Sequence, residues 1–172
     1  MHERVILGID PGLAHTGWGI VQQKGNSLHC VAYGCITTTK DQNLVDRLAK
    51  INSQMDAIVK RFEPTAVGIE TVWFGVNTQS AFATGQARGA ALVACARPGI
   101  DVGEFSPSQI KLGVVGTGSA DKAQVQYMVQ HILGLKKKPS PDHAADALAA
   151  AICYAAFKGS IPYEEQIRKA AL

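Results

Sequence analysis

The segment Val5-Ile6-Leu7-Gly8-Ile9 offers no polar position to solvent, yet it stops at an aspartate, Asp10, followed at once by Pro11-Gly12. A continuously apolar run of this length reads as a central strand covered on both faces, and Asp-Pro-Gly forces a turn at its end. Ala66-Val67-Gly68-Ile69 repeats the pattern and stops at Glu70, while His143 and Asp146 open an alanine-rich helix pattern. Each of these four side chains thus stands at the end of an apolar segment, where a fold can make them converge. Carboxylates collected at such points suggest a metal site.

The rest of the chain supplies the elements around that framework. Thr16 to Gln23 and Leu28 to Thr38 read as strands joined through Lys24-Gly25-Asn26, which has hairpin composition. From Asn43 the period changes to that of a helix, with Leu44, Leu48, Ile51, Met55, Ile58, Val59 and Phe62 on one face and Pro64 ending it. A short strand returns at Thr65 to Glu70, a second helix runs from Asn77 to about Arg97, and a strand follows at Val102 to Phe105. Ser106-Pro107-Ser108-Gln109 places a capping serine, a first-turn proline and a capping-box glutamine in order, so a third helix starts there. A fourth follows Ser119 and a fifth starts near Ser140-Pro141. The predicted order is βββαβα, then β and a cluster of helices.

A length of 172 residues with 47% apolar content fits one domain over the whole chain, with a frayed tail from about residue 159. No apolar stretch approaches a membrane span and no signal-peptide core precedes the first strand, so the expected location is the cytoplasm. Cys30, Cys35, Cys95 and Cys153 form no CxxC pair and read as reduced, mostly buried thiols. Cys30 and Cys35, an odd number of positions apart, would face opposite sides of one regular strand. The net charge is +3, and setting aside Asp10, Glu70 and Asp146 as metal ligands raises the balance elsewhere to +6, with Lys136-Lys137-Lys138 a local concentration. That suits a phosphate-rich partner, although a solvated lysine run beside a turn accounts for those three residues equally well.

Taken singly, each candidate has an ordinary explanation. Asp10 can be a turn residue, Glu70 an ion-pair partner, and His143 a surface histidine. His143 and Asp146, three apart, share a helix face, but Asp142, four before Asp146, would also serve, and spacing does not choose between them. Together they weigh differently. Crowded carboxylates are costly to bury unless cations neutralise them, and three acidic groups with a neutral histidine nearly balance two divalent ions. Oxygen-rich ligation favours Mg²⁺ or Mn²⁺ over zinc. Two such ions suit phosphodiester hydrolysis, since they activate a water and hold the leaving oxygen. Lys122, in the first turn of the fourth helix, opposes the helix dipole, so helix stability does not account for it; a phosphate held by the helix start and the lysine together does. Trp73 and Phe74 come three and four residues after Glu70 and are placed either to stack on unpaired bases or to pack in the core.

Ile6-Leu7-Gly8-Ile9-Asp10-Pro11-Gly12 with Thr16-Gly17, Ile69-Glu70, Gly85-Gln86-Ala87-Arg88-Gly89, Val114-Val115-Gly116-Thr117-Gly118 with Lys122, and Ala144-Ala145-Asp146-Ala147-Leu148 resemble the RuvC family of bacterial Holliday junction resolvases, in order from Val5 to about Phe157. The resemblance implies an α/β, ribonuclease H-like fold: a five-stranded mixed sheet, three antiparallel strands then two parallel, flanked by helices. It implies a homodimer that cuts opposed strands of a four-way DNA junction symmetrically, as a divalent-metal-dependent endodeoxyribonuclease leaving 5′ phosphates. By position, Asp10, Glu70 and Asp146 match metal-binding carboxylates. The fourth ligand position falls on His143, where many relatives carry aspartate; an imidazole there can ligate metal or accept a proton from the attacking water. Lys111 and Lys122 match lysines important for activity, and Trp73 matches an aromatic position credited with stacking. The cofactor implied is Mg²⁺, with Mn²⁺ able to substitute, two ions per site; the partners implied are junction DNA and the RuvA and RuvB branch-migration proteins. The slender second helix, rich in alanine and glycine from Ala81 to Ala94, either packs within the monomer or forms a two-fold interface, which the resemblance favours.

Three other functions compete. An actin-type ATPase also uses Asp-Pro-Gly, but needs a second domain for which this chain is too short, and GTGSADK lacks the GxxxxGK[ST] spacing. A ribonuclease H-like nuclease that processes RNA, and a module that binds junctions without cutting, remain as alternatives.

Overall fold

The computed structural model describes residues 3–72 and 78–158. The first apolar run forms β1 (Glu3–Asp10), the middle strand of five. It pairs antiparallel with β2 (His15–Lys24), which pairs antiparallel with β3 (Ser27–Thr37) through a turn at Gly25, whose φ of 60° lies in the left-handed region. On the other side β1 pairs parallel with β4 (Ala66–Glu70), and β4 pairs parallel with β5 (Asp101–Phe105). The sheet order is therefore β3-β2-β1-β4-β5, the three antiparallel and two parallel strands expected from the sequence. Parallel pairing requires crossovers, and these are α1 (Leu44–Phe62) and α2 (Thr78–Cys95).

Both crossover helices cover one face. Leu7, Ile9, Ile20, Val67 and Ile69 pack there with Ile51, Met55 and Val59 of α1 and Ala87 and Ala91 of α2. The helices also touch each other, and Asn52 Nδ2 donates to the Ala90 carbonyl at 2.9 Å. Helix α2 ends at Cys95, short of the predicted Arg97, because Pro98 disfavours helical backbone in the residue before it. Its Gly85 and Gly89 are exposed, and a Cβ at either meets nothing within 4 Å. Internal packing thus accounts for Ala81, Ala87, Ala91 and Ala94 of α2 but not for those glycines.

The opposite face carries α3 (Pro107–Val115), α4 (Lys122–Ile132) and α5 (Asp142–Lys158). The Ser106 capping box forms as predicted: Ser106 N–H donates to Gln109 Oε1 at 2.8 Å, and the Gln109 N–H donates to Ser106 Oγ at 3.2 Å. Helix α4 is capped by Asp121 and Gln124 in the same way, while Ser119 hydrogen-bonds Thr117 in the preceding turn.

Helix α5 lies directly on the sheet because glycine occupies the strand positions beneath it. A Cβ at Gly8 would stand 1.8 Å from the Ala147 carbonyl oxygen, one at Gly17 1.9 Å from that of His143, and one at Gly68 2.4 Å from that of Ala150. The helix answers with small side chains; Ala144, Ala147 and Ala151 are wholly buried. Such proximity leaves no slack, so it sets the rotation of α5 as well as its height over the strands.

One sequence expectation needs correction. Ile20 pairs with Ala32 but Val21 pairs with Cys30, so β3 carries a bulge between its two cysteines. Cys30 and Cys35 consequently sit opposite Val21 and Gly17, four apart on β2, and share a face. Only Cys95 and Cys153 are buried; all four cysteines are unpaired.

Candidate active site

Strands β1 and β4 run parallel in register, Ile9 beside Ile69, so the carboxylates that end them, Asp10 and Glu70, emerge as neighbours on the face that α5 covers. Gly17, opposite Asp10 on β2, lets the first turn of α5 descend onto this edge. That turn carries His143, and Asp146 follows on the same face. Ligand atoms of Asp10, His143 and Asp146 all lie within 4.8 Å of one another. His143 Nδ1 donates to Asp10 Oδ2 at 2.8 Å. The ambiguity between neighbouring α5 residues resolves geometrically: His143 faces Asp10, whereas the exposed Asp142 turns to Lys122 at 3.5 Å and Lys138 at 3.8 Å.

The cluster is electrostatically uncomfortable. Burial raises the Asp10 carboxyl above its ordinary value, opposed by the His143 hydrogen bond and reinforced by the Asp146 charge. Glu70 is pushed up to about 7, by burial first and then by Asp10 and Asp146. Asp10 and Glu70 therefore hold their protons more tightly than free carboxylates do, the signature of a site short of positive charge. A divalent cation fits that deficit, and the donors, carboxylate oxygens and one imidazole, suit a hard or borderline ion.

A cation already in contact with this cluster is Lys122. Its ammonium lies 3.1 Å from Asp146 Oδ2 as well as near Asp142. Burial pulls its pKa down, but the hydrogen bond and charge of Asp146 and the charge of Asp142 outweigh this and raise it. The helix dipole gives no reason for a lysine at this helix start; two carboxylates of α5, Asp142 and Asp146, lie against it instead. Lys122 and Lys111 both line a recess of about 210 Å³ with Glu70 and Asp146. Five of the predicted site residues, Asp10, Glu70, His143, Asp146 and Lys122, are gathered at this edge, with Lys111 on the wall of the recess; Trp73 and Phe74 lie outside the described residues.

Sequence reasoning missed His15. Its ring stacks on that of His143, centroids 5.3 Å apart and planes 21° from parallel. Strand alternation from Gly17 puts His15 on the same face as Asp10, a signal available once the β1–β2 register is known.

A mixed sheet of this order, with carboxylates ending two adjacent parallel strands under one crossing helix, defines a ribonuclease H-like nuclease fold. The family model of crossover junction endodeoxyribonuclease RuvC matches residues 6–154, and the chain belongs to that family. It is 48% identical over 151 residues to the RuvC of Clostridioides difficile, covering 88% of this chain and 89% of the relative, and 45% identical over 153 residues to that of Rubrobacter xylanophilus, covering 89% and 86%. Among solved structures, Thermus thermophilus RuvC in complex with Holliday junction substrate superposes with a TM-score of 0.85 at 36% identity, covering 90% of this chain and 94% of that one. The yeast mitochondrial Holliday junction resolvase Ydc2, 12% identical with a TM-score of 0.64, shares the fold.

Proposed function

We propose that this protein resolves four-way DNA junctions by paired symmetric nicks, hydrolysing a phosphodiester on each of two opposed strands and leaving 5′ phosphates. The observation that carries this reading is the meeting of Asp10, His143 and Asp146 within 4.8 Å, in a chain of the RuvC family. Asp10, Glu70, His143 and Asp146 would hold two Mg²⁺ ions, with Mn²⁺ able to replace them. Bound there, the ions would polarise the scissile phosphate and lower the pKa of the attacking water. The three carboxylates set the charge of the site and orient what it holds. His143, donating Nδ1–H to Asp10, keeps the one lone pair of Nε2, which serves either a metal ion or the proton of the attacking water. With cations held at Asp146, Lys122 would be free to reach a phosphate oxygen, with Lys111 on the same wall.

Junction resolution also needs two sites acting together, and the exposed Gly85 and Gly89 of α2 offer a surface on which a second copy can approach closely. Described residues include no helix long and apolar enough to cross a membrane. Trp73 and Phe74 complete the proposal as aromatic groups for bases unpaired at the junction centre, and RuvA and RuvB as the proteins that deliver the junction.

Incubation of the purified protein with a synthetic four-way DNA junction, its linear duplex arms and a structured RNA, each in Mg²⁺ and in Mn²⁺, tests the reading. Symmetric nicks confined to the junction are expected. Preferential RNA cleavage, or tight junction binding without any cut, would replace it with one of the two alternatives.

A further inference from the structure

A second depression borders the acidic cluster at His143 and shares no lining residue with the recess of Lys111 and Lys122. It has a volume of about 540 Å³ and reaches from His143 and His15 past the Gly12–Ala14 turn to Lys40 and Arg47, with the start of α2 as its far wall. Its charged lining is Lys40 and Arg47, with no carboxylate among the residues that line it. His143 belongs to both this groove and the cluster, and Asp146 to both the cluster and the lysine recess, so the two depressions meet the cluster at different residues.

The groove is built rather than merely open. Thr38, 3% exposed, donates its hydroxyl to the Leu13 carbonyl at 2.5 Å and its N–H to the Ala14 carbonyl at 3.0 Å, while Thr16 Oγ1 donates to the Gly12 carbonyl at 2.7 Å. These bonds pin the turn that forms the floor. Arg47 then donates Nε–H to Thr38 Oγ1 at 2.8 Å, which anchors the guanidinium at one edge and directs its remaining N–H groups elsewhere. The exposed Asp41 carboxylate feels Arg47, but it is not part of the lining. An anchored arginine with an exposed lysine on the same lining is an arrangement suited to phosphate oxygens.

Resting on the junction-cleaving function proposed above, we infer that Lys40 and Arg47 form a second phosphate-binding subsite, which grips the cleaved strand on the opposite side of the scissile phosphate from Lys111 and Lys122. Held at both flanks, the strand cannot pivot over the acidic cluster, so the subsite acts by positioning the reacting phosphate.

The test is a binding series with four-way junctions in which successive phosphates of the cleaved strand are replaced by uncharged methylphosphonates, with Ca²⁺ in place of Mg²⁺. Wild-type protein should lose roughly 3- to 10-fold in affinity at a neutralised position within a few nucleotides on one side of the cleavage point. Lys40→Ala should bind the unmodified junction weaker by a similar factor, reduce the slope of log Kd against log salt by about 1, and show no further loss at that position. Arg47→Lys, which keeps charge but loses the anchored fork, should show a partial version. Lys24→Ala, on the distant β2–β3 hairpin, controls for general charge. A Lys40→Ala protein whose methylphosphonate profile and salt slope match wild type, while wild type cuts junctions normally, overturns the subsite alone. Wild-type protein that neither binds nor cuts the junction overturns the subsite and the function it rests on.

Discussion

Gly8 in β1 lies so close beneath Ala147 in α5 that a methyl group on Gly8 would stand 1.8 Å from the Ala147 carbonyl oxygen. The contact is between backbone and backbone, which no rotamer change relieves. Gly8→Ala should therefore cost roughly 3 kcal/mol or more of stability in denaturant unfolding, and lift His143 and Asp146 away from Asp10. Gly89→Ala is the counterpart: at an exposed helical position facing open space, the same methyl should add ~0.5–1 kcal/mol to the monomer. If α2 forms the interface between two copies, that variant should also dissociate more readily in sedimentation at micromolar concentration.

The raised carboxylates predict how stability depends on pH without metal. Glu70, near 7 in the folded chain against an ordinary 4.5, binds its proton more tightly folded than unfolded. Its stabilising contribution is complete below pH 4.5 and lost as pH rises through 7; Asp10 shifts in the same direction. The loss for Glu70 is on the order of 3 kcal/mol. Thermal unfolding in EDTA should show wild type falling relative to Glu70→Gln between pH 5 and pH 8, and added Mn²⁺ should recover more stability at pH 8 than at pH 5. A gap between the two proteins that widens in favour of wild type as pH rises contradicts this.

Lys122 supplies the positive charge beside Asp146, so a cation bound by Asp146 would compete with it. Lys122→Met should bind Mn²⁺ at least as tightly as wild type in calorimetry without DNA, yet cut a junction about 100-fold more slowly, because the lysine no longer reaches the phosphate. Weakened metal binding, or unimpaired cutting, would assign Lys122 a different part.

His143 contributes an imidazole where aspartate would bring a negative charge. His143→Asp should tighten binding of the second ion and reduce the advantage of Mn²⁺ over Mg²⁺ in cleavage titrations. An unchanged metal preference would mean that His143 does not face the ions.

Much of this was legible in the sequence because it depends on local patterns. The apolar runs ending in Asp10 and Glu70 are strands wherever they sit, and the Ser106 cap needs only its own four residues. What depended on three-dimensional fit was not. Asp142 and His143 differ by one residue, about 100° of helix rotation, and the choice between them comes from the way α5 rests on Gly8, Gly17 and Gly68. Those glycines stand one on each of β1, β2 and β4, on the face toward an alanine-rich helix, a pattern that becomes readable only when strands and helix are known to touch. The common face of Cys30 and Cys35 was hidden for a similar reason, since a bulge leaves no trace in the spacing of the residues around it.

Side chains from β1, β4 and α5 converge where β1 and β4 end, and the proposed chemistry needs cations bound among them. Diffraction from crystals soaked in Mn²⁺, collected at a wavelength where manganese scatters anomalously, tests this most directly. The predicted result is anomalous density among Asp10, Glu70, His143 and Asp146, with Lys122 withdrawn from Asp146. Density bound elsewhere, with the acidic cluster and its Lys122 contact unchanged in crystals of cleavage-competent protein, would contradict it.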